Sequence, residues 1–181
     1  IGIVASPLAV TPLLAVYETN NTPDELKLSC LCAIANICRT ALEVGSGLEQ
    51  ELSNYSSGIL NSAKDYFRTY RRHEPVLAEG VNCWPCILRA VEADAELEDT
   101  VLELIKSVTV AESRKAKLCE IVSKAKAVNP DRIERVLISE YPEASNLRYK
   151  KQMLSTLGEI RRGKGLLLSA ARNSKRVALR R

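Results

Sequence analysis

Cys83-Trp84-Pro85-Cys86 is the most conspicuous chemical spacing in the chain. A C-x-x-C at a helix start can have its first thiolate stabilised by the helix dipole, which is the chemistry of thiol–disulfide exchange. That arrangement needs a strand ahead of the helix, and residues 77–82, LAEGVN, make a poor strand. The same pair could supply half of a tetrahedral zinc site, with two more ligands from elsewhere. Cys30, Cys32 and Cys38 fall on one helical stretch, where positions two apart diverge, and His73 is the only histidine. The six cysteines therefore read as small buried apolar thiols, and neither a metal nor another cofactor is expected. Six free thiols without a secretory leader point to an intracellular, reducing compartment, cytoplasm or nucleus.

Other catalytic groupings are missing from the sequence. His73 stands beside Arg71, Arg72 and Glu74 in an exposed-looking loop, so a Ser-His-Asp or Cys-His site would rest on one residue. Gly163-Lys164-Gly165 lacks the longer frame of a phosphate-binding loop. Glu92, Asp94, Glu96 and Asp99 read as a solvated acidic turn and helix start. The expectation is a protein that is not an enzyme.

Charge gives a stronger signal than any motif. Arg148, Lys150, Lys151, Arg161, Arg162, Lys164, Arg172, Lys175, Arg176, Arg180 and Arg181 face only Glu159, so residues 148–181 carry +10 of a net +4 and leave −6 for the rest. Such a block suits an anionic partner: phosphates of a nucleic acid, an acidic protein surface or, with least weight, an anionic membrane. Tyr149 is the only aromatic in this block, which disfavours stacking on single strands. No apolar run of membrane-spanning length exists, and a membrane partner is not expected. The chain begins with Ile1, which points to a processed product or a piece of a longer chain.

The elements that must position these groups are helices. The 181 residues are 46% hydrophobic and hold only one Trp and one Phe, an aliphatic composition that suits a single helical domain over residues 1–181. Thr11-Pro12 and Thr22-Pro23-Asp24 look like helix starts, the second opening a helix with Leu26, Cys30, Ile34 and Ile37 on its inner face. One long helix is expected from Leu48 to about Arg72, carrying Leu52, Tyr55, Ile59, Ala63, Tyr66 and Tyr70. Leu97 to Val108 forms another, and residues 111–128 form one with a broad wet face. Asn129-Pro130-Asp131 is the clearest start, Pro142 a stop, and further helices follow Asn146 and Gly163. No stretch alternates with period two, so the expected fold is all-α: eight or nine helices in antiparallel hairpins, stacked as a short right-handed solenoid or an irregular bundle.

The hairpin at residues 10–37 echoes elsewhere. A shift of 123 lays it on residues 133–160, matching Leu13 with Val136, Leu14 with Leu137, Cys30 with Met153 and Ile34 with Leu157. A shift of 71 sets Cys30, Leu31, Ile34 and Ile37 on Val101, Leu102, Ile105 and Val108. The run AVTPLLAVYETNNTPDELKLSCLCAIANIC resembles one armadillo repeat, with residues 79–94 followed by 96–108, and residues 137–160, resembling it more distantly, over about half the chain. The spacing of 123 also equals three units within the armadillo and HEAT range. The resemblance implies stacked third helices lining a surface that binds extended peptides, with Asn36 in the place of the residue that reaches the peptide backbone. Ser107 and Glu159 stand where that residue would recur. The expected function is a protein-interaction or scaffold module within a larger protein or assembly, by partner binding or self-assembly. The alternative is a helical nucleic-acid-binding structural protein, of viral nucleocapsid or matrix type, using its basic C-terminal third.

Overall fold

The structure is a computed structural model that describes residues 6–70 and 78–178, residue 46 and residues 174–178 by backbone alone. It is all-helical, with no strand among the described residues. Ten α-helices appear there: α1 (Val10–Glu18), α2 (Asp24–Val44), α3 (Ser46–Ser53), α4 (Ser56–Thr69), α5 (Trp84–Arg89), α6 (Ala95–Lys106), α7 (Glu112–Lys124), α8 (Pro130–Glu143), α9 (Leu147–Glu159) and α10 (Lys164–Ala178). The expected eight or nine are exceeded because the long helix from Leu48 divides at Asn54–Tyr55 into α3 and α4, although its apolar stripe runs unbroken across the division.

Several starts differ from the sequence reading. A 3-10 turn, Pro7–Ala9, runs straight into α1, so Pro12 is its third residue, where its missing N–H would have had no partner anyway. Thr11 makes no side-chain cap. Neither does Thr22, whose hydroxyl instead donates to the Val16 carbonyl at 2.8 Å and closes the α1–α2 turn. Asn129 and Asn146 do cap, accepting from the Arg132 and Tyr149 amides at 3.0 and 3.1 Å, as does Asp94 from Leu97 at 2.7 Å. Pro142 lies inside the last turn of α8.

Two successions of neighbours organise the helices. α2 packs on α5, α5 on α7 and α7 on α9; in the other, α1 packs on α4, α4 on α6 and α6 on α8. The two meet where α1 lies on α2, α4 on α5, α6 on α7 and α8 on α9. One cluster of buried side chains runs through all of these, from Val10 to Leu157. Its aromatic centre is Trp84 with Tyr66 and Phe67, ring centroids 5.4 and 6.0 Å away.

α7 is more enclosed than the broad wet face expected of residues 111–128 would allow. Ala116, Leu118, Cys119, Ile121 and Val122 are buried, and so is Lys115. The lysine survives burial because its ammonium meets the Glu140 carboxylate of α8 at 2.8 Å. Thr156 of α9 is fully buried too, its hydroxyl donating to the Cys119 carbonyl at 2.9 Å. Leu26 and Val108, expected inside, are 48% and 97% exposed, Val108 because α6 has already ended.

Three glutamates tie each helix to the turn after the next. Glu98 of α6 accepts the amides of Val128 and Asn129 at 2.7 and 3.1 Å. Glu112 of α7 accepts those of Ser145, at 3.0 Å, and Asn146. Glu134 of α8 accepts that of Gly163 at 2.8 Å.

Candidate functional site

The outward residues of α2, α5, α7 and α9 form single stripes at helical spacing. On α2 the stripe is Ser29, Cys32, Asn36 and Arg39; on α5 it is Cys86 and Arg89. On α7 it is Lys117, Glu120 and Lys124, and on α9 Arg148, Lys151, Ser155 and Glu159. Two contacts reach from a stripe to the neighbouring helix. Cys32 reaches Cys83, at the start of α5, with the sulfurs 3.4 Å apart, and Lys124 pairs with Glu159 at 2.9 Å. The Lys124 hydrogen bond holds Glu159 below the usual carboxylate range. Cations predominate along this face.

Asn36 is exposed in the middle of the α2 stripe, and its side-chain carbonyl accepts from the Arg39 guanidinium at 3.0 Å. Its amide group keeps both N–H donors for a ligand.

The basic residues of the C-terminal part divide by environment. Arg148 and Lys151 stand on the α9 stripe, and Arg161, Lys164 and Arg172 are exposed further on; none forms an ion pair among the described residues. Arg162 is committed to Asp131 of α8 at 3.0 Å, and the Lys150 ammonium lies 5.4 Å from the Tyr141 ring centre. Lys175 and Arg176 belong to α10, but their side chains, like Arg180, Arg181 and His73, lie outside the described residues.

The cysteines separate into inert and accessible thiols. Cys30, Cys38, Cys83 and Cys119 are buried, while Cys32 and Cys86 are exposed, so not every cysteine is the buried thiol expected. Burial pushes Cys38 up to about 12, with the neighbouring Cys86 adding to it. Burial and the hydrogen bond with Cys32 push Cys83 up to about 12 as well. Among the described residues no three His, Cys, Asp or Glu side chains converge as a metal site.

Sequence reasoning missed the Cys32–Cys83 meeting because it joins helices 51 residues apart. It also missed a polar cleft between α1, α2 and α4, lined by Tyr17, Glu18, Lys27, Ser62 and Asp65. Ser62 donates there to Glu18 at 2.6 Å. Burial, then the charges of Asp65 and Glu18, raise the Tyr17 hydroxyl far above its ordinary value. Three of the four acidic residues read as a solvated turn and helix start are engaged: Lys64 of α4 binds Asp94 at 2.9 Å and Glu96 at 3.0 Å, Arg68 also binds Glu96, and Arg132 of α8 binds Asp99.

No family model matches the chain, and no curated protein and no solved structure is significantly similar to it. Among the described residues, no helix is long and apolar enough to cross a membrane.

Proposed function

We propose that this chain is a non-enzymatic scaffold of stacked helical hairpins, armadillo- or HEAT-like, that binds an extended, acidic segment of a protein partner across α2, α5, α7 and α9. The observation that carries the reading is that α2, α5, α7 and α9 pack in succession and that each turns polar, mostly basic side chains outward. The echo between residues 10–37 and 133–160 supports it, since the shift of 123 sets the first residue of α2, Asp24, on the first residue of α9, Leu147. The same shift sets the buried Val10, Leu14, Cys30 and Ile34 on the buried Ile133, Leu137, Met153 and Leu157. Asn36 supplies backbone-directed donors on this face, and Arg39, Arg89, Arg148 and Lys151 supply the positive charge.

Selection of displayed peptides against the folded chain tests it. The expected winners are extended acidic peptides that bind at least tenfold more weakly to Asn36→Ala with Arg89→Glu. A screen without binders, or binders indifferent to those changes, would overturn the proposal.

A second reading, nucleic-acid binding through the basic end, is favoured by the exposed Arg148, Lys151, Arg161, Lys164 and Arg172, which form no ion pair among the described residues. It requires affinity for RNA that falls steeply between low and moderate salt, and that drops further when Arg161, Lys164 and Arg172 are neutralised. RNA binding without that salt slope would remove it.

A further inference from the structure

Cys32 and Cys83 are placed for a chemistry that neither helix suggests alone. Cys32 is exposed on α2, Cys83 is 9% exposed at the start of α5, and their sulfurs are 3.4 Å apart. That is inside the contact distance of two sulfur atoms, and about 1.4 Å beyond a disulfide bond. We infer that Cys32 and Cys83 are a reversible oxidation site, at which a peroxide converts the two thiols into a disulfide that staples α2 to α5.

The roles of the two thiols follow from exposure. Cys32 meets the oxidant: its sulfur attacks one peroxide oxygen, the S–O bond forms, the O–O bond breaks, and one water leaves. Cys83 then attacks the Cys32 sulfenic acid. The S–S bond forms, the S–O bond breaks, and the departing hydroxyl leaves as a second water with the Cys83 proton. The two thiols lose two electrons, and one peroxide becomes two waters. Cys83 cannot begin the sequence, because it is buried and its thiol is held protonated by burial and by the Cys32 contact. A thiol reductant of the glutathione class restores both groups. Cys86 is exposed and next along the chain, but its sulfur is not the one that meets Cys32.

Treating the reduced, full chain with hydrogen peroxide under native conditions, then alkylating and digesting it, reads the site directly. The expected product is about 2 Da lighter and has four alkylatable thiols in place of six. Tryptic peptide 28–39 is joined to peptide 73–89, fragmentation places the bond at Cys32 and Cys83, and dithiothreitol reverses it. The staple closes a loop of 51 residues and should raise Tm by roughly 5–15 °C. Cys86→Ser should cross-link as before, and Cys32→Ser should not. Cys83→Ala, with its helical circular dichroism checked, should take Cys32 to a trapped sulfenic or sulfinic acid. A bond that uses Cys86, or Cys32 oxidised in the unaltered chain without any bond to Cys83, overturns the inference. Because the wild-type peptide map decides, a variant that fails to fold does not blunt the test.

Discussion

Lys64 shows how single residues hold this fold. Its ammonium joins Asp94 and Glu96, and the two hydrogen bonds raise it above its ordinary value. Burial alone would raise Asp94, but the Lys64 hydrogen bond and the Leu97 amide outweigh it and hold Asp94 below the usual range. The signs follow from linkage. A depressed Asp94 stabilises the fold above about pH 4 and loses that contribution as pH falls through its folded pKa. A raised Lys64 stabilises it below about pH 10 and loses that contribution as pH rises through the higher folded pKa. Tm measured against pH should therefore be flat near neutrality and fall on both sides, and Asp94→Asn should flatten the acid limb. An unchanged acid limb would show that Asp94 gains nothing from folding. Thr156 provides a second residue-scale test. Thr156→Val removes the buried hydrogen bond to Cys119 at constant shape and should cost about 1 kcal/mol in urea denaturation.

At the scale of elements, the turn after α9 carries its own logic. The Arg161 amide bonds to Gly158 at 3.1 Å and the Arg162 amide to Leu157 at 2.8 Å, with Arg161 left-handed at φ 56°, which is a Schellman ending. An L side chain is disfavoured there, so Arg161→Gly should stabilise the protein by roughly 0.5–1 kcal/mol in the same denaturation experiment. Gly163 is the opposite case. At φ +71° an added Cβ would come within 2.9 Å of Leu157, so Gly163→Ala should destabilise by about 1–2 kcal/mol or more. This part of the fold was only half legible in the sequence. The glycine was readable as a stop and Asn146 as a start, because their local backbone chemistry is written in the residue itself. The break at Asn54–Tyr55 was hidden, since the apolar stripe of Leu52 and Ile59 keeps helical phase across it. The enclosure of α7 was hidden for a different reason: Lys115 looks wet until Glu140, on another helix, comes to meet it. The same holds for the candidate site. Asn36 could be read from a local pattern, whereas the Cys32–Cys83 pair exists only once α2 and α5 are packed.

Across the whole molecule, burial is graded along the chain. α5 and α7 lie between neighbours on several sides, while α10 packs mainly on α9 and has no buried side chain among its described residues. Opening free energies follow buried apolar contact and protected backbone, so native-state hydrogen exchange should be slowest at the core amides of α7, Cys119, Ile121 and Val122. The amides of α10 should exchange fastest of all the helices, by several orders of magnitude relative to α7. Trp84, the only tryptophan and fully buried, gives an independent reading of the same gradient. Its emission should be blue-shifted in the native chain and change together with the α7 amides in denaturant, after α10 has already opened. Equal protection of α10 and α7 in a dilute sample would contradict the gradient, because nothing in the monomer's own packing could supply it. If that protection rose with protein concentration instead, a second copy would be covering the half-exposed leucines Leu166, Leu167 and Leu168.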